Sequence, residues 1–94
     1  MSLQVQHKKP DNKGSFYIEK DGKRVAEMTY VMAGEANMII DHTEVSDALR
    51  GQGAGAEMVA AAVVYARENG IKIRPLCPFA KAVFDKTPEY IDVL

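Results

Sequence analysis

Only one cysteine, Cys77, stands in the 94 residues. A lone thiol excludes an internal disulfide framework and a cysteine-rich zinc site. It fits a reducing compartment, so the cytoplasm is the expected location. No apolar run is long enough to cross a bilayer, and no secretory signal is visible at the N-terminus. Charge of either sign is not in excess: twelve basic and thirteen acidic residues leave a formal net charge of -1. General electrostatic attraction to nucleic acid or to a membrane surface is therefore not expected. There is no internal repeat, no low-complexity segment and no linker at which to cut the chain. The spacing of histidines and acids contains no metal-ligand pattern, so no metal is expected.

What is present is the composition of a globular protein, 47% hydrophobic and 27% charged. The length suits a single domain over residues 1–94. Leu3 to Lys9 alternates between Leu3, Val5, His7 and Gln4, Gln6, Lys8, which predicts a half-buried strand with His7 at its edge and no partner in view. Pro10 to Gly14 is a turn, Ser15 to Glu19 a second strand, and Asp21-Gly22 a hairpin signal. Arg24 to Met32 alternates as a third strand. Ala36 to Val45 is a fourth, apolar on both faces at Met38-Ile39-Ile40 as an interior strand should be. Gly53 to Asn69 reads as a helix on the recurrence of Ala56, Val59, Ala60, Val63, Val64 and Ala66, with Tyr65 on another face and Gly70 as its stop. Ile71 to Leu76 is a fifth strand, parallel to the fourth because a helix joins them. Pro78 opens a second helix that runs to Lys86, Pro88 ends it, and Glu89 to Leu94 forms a short tail. The predicted fold is α/β (α+β): an antiparallel meander leading into a β–α–β unit, then a second, C-terminal helix.

The stretch with chemical content lies between the fourth strand and the long helix, Arg50-Gly51-Gln52-Gly53-Ala54-Gly55-Ala56. Glycine on alternate residues leaves the backbone bare where a helix begins. Helix starts carry unpaired N–H groups and a partial positive charge. Such a turn either tightens a strand–helix junction or cradles a phosphate. A Walker loop would need Lys and Ser or Thr after the last glycine, and Ala56-Glu57 stand there instead. A dinucleotide fingerprint matches at Gly51, Gly53 and Ala56. It requires an acid at the end of the next strand, where Arg74-Pro75-Leu76 occur. Arg50 would neutralise phosphate charge. Lys81 and Lys86, on the second helix, are further cations that can meet phosphates.

The turn resembles the Arg/Gln-x-x-Gly-x-Gly/Ala signature of the GNAT-type N-acetyltransferases. The resemblance extends to Val45, five residues before Arg50, and to Ala80, Phe84, Asp85 and Lys86 in the second helix. It covers Ile39 to about Tyr90. It implies a minimal GNAT-like domain whose fourth and fifth strands splay apart. It further implies acetyl-CoA as cofactor, with the amides from Gln52 to Ala56, including those of Gly53, Ala54 and Gly55, on the pyrophosphate. The backbone near Thr43, Glu44 and Val45 would pair with the pantetheine arm, and Phe84 is carried over as a cofactor contact. The implied activity is transfer of acetyl to the amine of a small molecule or a protein. The alternative is a non-catalytic CoA-binding or protein-interaction module. The chain departs from the family in three ways. Pro10 to Gly14 leaves no room for the helices that wall the acceptor site, Phe84 replaces a tyrosine acid, and Cys77 replaces an asparagine.

Three residues are candidates for chemistry. Cys77 precedes the second helix, where a thiolate is stabilised, so it can act as a nucleophile toward a thioester. His42 and Glu44, two apart on one strand face, are candidate general bases for an ammonium acceptor. Asp41 and Thr43 fall on the opposite face by the same alternation and read as structural.

Overall fold

A computed structural model of the chain describes residues 4–49, 51 and 53–94. Five strands form one sheet in the order β1-β2-β3-β4-β5: β1 Gln6–Lys8, β2 Lys13–Lys20, β3 Lys23–Met32, β4 Asn37–Val45 and β5 Lys72–Pro75. The first four pair antiparallel and β4 pairs parallel with β5. Helix α1, Ala54–Asn69, crosses between β4 and β5, and helix α2, Pro78–Lys86, follows. Short 3-10 helices lie at Asp47–Leu49 and Pro88–Val93. The predicted meander and β–α–β unit are both present. The tail is the second of these 3-10 helices. Leu3, assigned above to the first strand, lies outside the described residues.

One face of the sheet carries the core. Phe16 and Ile18 of β2 stand opposite Met28 and Ala26 of β3, and Tyr30 and Met32 stand opposite Ile40 and Met38 of β4. All eight are buried together with Met58, Val59, Ala62, Val63 and Ala66 of α1 and Ala80 and Phe84 of α2. The helix stripe is thus displaced from the predicted one. Ala56 and Val64 face solvent, and Met58 and Ala62 take their place. Runs of alanine and valine satisfy several three- and four-residue phases equally well, and the larger Met58 decides between them. Gly70 closes α1 in the left-handed conformation, φ 65°, as expected of a C-terminal glycine.

His7 has partners after all, which corrects the expectation above. Its Nε2 is hydrogen-bonded to the Tyr30 hydroxyl, and its ring stacks on Phe16 with centroids 4.2 Å apart. Tyr65 meets it edge-on at 4.6 Å. Tyr30 fits because Gly14 lies across from it. A Cβ on Gly14 would come within 2.4 Å of the Tyr30 oxygen, so glycine here serves a close approach within a strand.

The register of β4 slips where it matters for the site. Thr29 faces His42 and Tyr30 faces Ile40, so Asp41 is an extra residue. Such a β-bulge reverses the alternation beyond it. Met38 and Ile40 point to the helices, and after the bulge Thr43 and Val45 do so, opposite Met28 and Ala26. His42 and Glu44 take the other face. The Thr29 hydroxyl donates to the Asp41 carboxylate at 2.6 Å and holds the bulge.

Candidate active site

β4 and β5 part at the bulge. Their register ends at Ile40↔Pro75, whereas β4 stays paired with β3 to Val45. The amides of Leu76 and Cys77 both donate to the Ile40 carbonyl, at 3.0 and 3.1 Å, and the chain then turns into α2. Pro75 has no N–H to extend the ladder. A cleft of about 580 Å³ opens beyond this point. Thr43 and Val45 line it from β4, Gly51 and Gly53 to Ala56 from the turn, and Phe79, Val83, Lys86 and Thr87 from α2 and its end.

The glycine turn shapes one end of the cleft. Gly51 and Gly53 have φ of 82° and 73°, a region that side-chain-bearing residues rarely adopt. A Cβ at either would meet nothing within 4 Å. The requirement is conformational, and the space beside both glycines is open. Gly53 is the N-cap of α1 and has no side chain with which to cap it. The first-turn amides of Ala54, Gly55 and Ala56 therefore have no acceptor from the N-cap side chain and can meet an anion in the cleft. Gly55 differs: a Cβ there would lie 2.0 Å from the Phe79 ring, so its bareness lets α2 seat on α1. Arg50 and Gln52, both predicted to meet the cofactor, lie outside the described residues.

Cys77 is the N-cap of α2 and is 7% exposed. Its sulfur lies 3.3 Å from the Thr43 oxygen, to which the thiol donates. Burial works to raise the thiol's pKa. The Thr43 hydroxyl, the amides of Ala80 and Phe79 and the Thr43 backbone outweigh it, and the net shift is downward. The bulge thus brings together Thr43 and Cys77, a pairing that strict alternation hides.

His42 and Glu44 do not join them. They meet each other, 3.1 Å between Nε2 and Oε1, on the open face of the sheet. Glu44 borders a second open cleft, about 620 Å³, with Arg24, Glu27 and Ser46, and Val45 borders both clefts. The two candidate bases and the thiol therefore stand on opposite sides of one strand. Phe84 is another displacement: it is buried against Tyr90, with centroids 5.8 Å apart, and does not line the cleft. Phe79 and Val83, on the neighbouring face of α2, line it instead. A helical wheel anchored on the Gly55 contact would have found them. Among the described residues no group of side chains has the makings of a metal site, and no helix is long and apolar enough to cross a membrane.

Fold and site define a class: a mixed-sheet α+β domain with a glycine turn at the gap between two parting parallel strands. Residues 15–93 match the GCN5-related N-acetyltransferase family model, and the chain belongs to that family. Among solved structures it resembles a GCN5-like protein from Staphylococcus aureus determined by NMR in solution. That pair shares 42% identity over 97% of this chain and 86% of the other, with a TM-score of 0.73. More distant likenesses share the fold. The ribosomal-protein-S18-alanine N-acetyltransferase of Escherichia coli is 13% identical over 83% of this chain, with a TM-score of 0.68. A predicted acetyltransferase of Clostridium acetobutylicum, determined with acetyl-CoA, is 17% identical over 80%, with a TM-score of 0.65. This chain spans 53% and 56% of the lengths of those two. None of the curated proteins matches it.

Proposed function

We propose that the chain binds acetyl-CoA in the cleft between the parted end of β4 and helix α2, and transfers the acetyl group to an amine. The observation that carries this reading is the glycine start of α1 at Gly53, bare of a side chain and opening onto that cleft. Bare amides there suit a diphosphate. The walls beyond, Val45, Leu49, Phe79 and Val83, suit an apolar arm. The β4 edge from Thr43 to Val45 is free of β5 and can pair with the amides of that arm. When bound, acetyl-CoA supplies an activated acyl group on a good leaving thiol.

The chain's own residues then divide the work. Cys77, with its lowered pKa, attacks the thioester carbonyl. The acetyl group passes to its sulfur and the thiol proton ends on the released CoA. An amine that enters through the gap between β4 and β5 displaces the acetyl group from Cys77, its proton passing through water to Glu44 or His42 across the strand, and the thiolate is restored. The acceptor is a small-molecule or protein amine reached across the gap between β4 and β5. A second reading is a CoA-binding module without catalysis. It is favoured by the placement of His42 and Glu44 on the far side of β4 from Cys77, and by the absence of a hydroxyl on Phe84.

Intact-protein mass spectrometry with acetyl-CoA separates the two. Catalysis predicts a 42-Da adduct on Cys77 that is lost when amine is added. The module predicts binding without an adduct. Gly53→Asp places a carboxylate and an L side chain at the anion end, and is expected to abolish CoA binding by calorimetry while leaving the circular dichroism spectrum unchanged. Undiminished affinity would remove the site.

A further inference from the structure

Among the described residues that line the cleft, Lys86 is the one cation. Lys81 and Lys86 are both on α2, and Lys81 does not line the cleft. Lys81 is taken by Asp85 one turn on, at 3.3 Å. Lys86 lines the cleft with Thr87 beside it. The contact between Phe79 and Gly55 fixes where α2 begins relative to the glycine turn. Lys86 is seven residues beyond Phe79, which at about 1.5 Å per residue sets it roughly 10 Å further along the groove. Among the described residues the cleft therefore offers two anion stations: backbone amides at the start of α1 and an ammonium on a flexible stem at the end of α2.

A single phosphate group, or an unbroken polyphosphate lying on the turn, leaves the second station unused. A ligand with a diphosphate and a separate phosphate on the far side of its ribose reaches both. We infer that Lys86 is a specificity-determining residue that reads the ribose 3′-phosphate, so that the cleft selects coenzyme A over its 3′-dephospho form. This rests on the reading of the cleft as the CoA site and adds the part of the ligand that Lys86 recognises.

Calorimetric titration of the full chain with CoA and with 3′-dephospho-CoA tests it. The unmodified protein should bind CoA about five- to tenfold more tightly, a preference that shrinks as salt rises. Lys86→Ala should weaken CoA to the level of the dephospho form and leave the dephospho form unchanged. Lys86→Arg should keep most of the preference, and Lys81→Ala all of it. Equal weakening of both ligands by Lys86→Ala, or no weakening of either, overturns the assignment. If neither ligand binds the unmodified protein, the CoA reading itself fails. If both bind with equal affinity, that reading stands and only the role of Lys86 falls.

Discussion

The thiol of Cys77 owes its downward shift to a small set of neighbours. Burial opposes ionisation, and the Thr43 hydroxyl is the leading group that favours it. Thr43→Val keeps the strand-forming shape and removes the oxygen. The expected outcome is a rise in the Cys77 pKa, seen as an iodoacetamide alkylation profile moved to higher pH; Thr43→Ser should leave it near the original. An unmoved profile in Thr43→Val would show that Thr43 is only a wall. His7 gives a second prediction. Burial, and then Lys9, lower its pKa below 6.5 in the folded chain, so the unfolded state takes up a proton first as pH falls. Stability from neutral His7 is full above about pH 6.5 and is lost as pH falls through the lowered value. Tyr30 behaves in the opposite sense. Burial, and then Tyr65, raise it to about 12, so its contribution fades as pH climbs from about 10. Urea melts across pH should show both declines, and His7→Phe should remove the acid one. The cost of His7 protonation was illegible in the sequence because nothing local pairs it with Tyr30, which is 23 residues away.

Among the elements, the order of strands and helices was readable because each carries its own period and stop signal. Asp21-Gly22 turns the hairpin, Gly70 ends α1 and Pro78 opens α2. The Asp41 bulge left no such mark. A strand of nine residues that mixes Ile39-Ile40 with Asp41-His42 alternates acceptably in either register, and only pairing with β3 chooses. That one residue moves Thr43 to the helix side and keeps His42 and Glu44 away from Cys77. The first turn of α1 supplies the test at this scale. Gly55→Ala should destabilise the chain by about 1–2 kcal/mol, because the new methyl overlaps the Phe79 ring. With Phe79→Ala already present, the same change should stabilise it by up to about 1 kcal/mol, since alanine is the better helix former. Denaturant melts of the four proteins in this cycle read the coupling directly. Additive effects would contradict the packing described.

At the scale of the whole molecule, the C-terminal end is tied back to α1 and β5. Arg67 of α1 donates to both Asp92 carboxylate oxygens, at 2.8 and 2.9 Å, and to the Glu89 carbonyl at 2.8 Å. The Lys72 ammonium donates to the Asp92 carbonyl. The last 3-10 helix is thus tied to α1 and β5, and Tyr90 is kept on Phe84 beneath α2. Arg67→Ala should speed hydrogen exchange at Tyr90 to Val93 more than at the sheet amides; unchanged exchange there would show that the clasp holds nothing. The account stands on the cleft between β4 and α2, and amide chemical shifts during a titration with acetyl-CoA test it most directly. Shifts confined to Thr43–Val45, the turn from Gly51 to Ala56 and α2 from Phe79 to Thr87 are the predicted result. Shifts centred on β1 and β2, or none at saturating ligand, would contradict it.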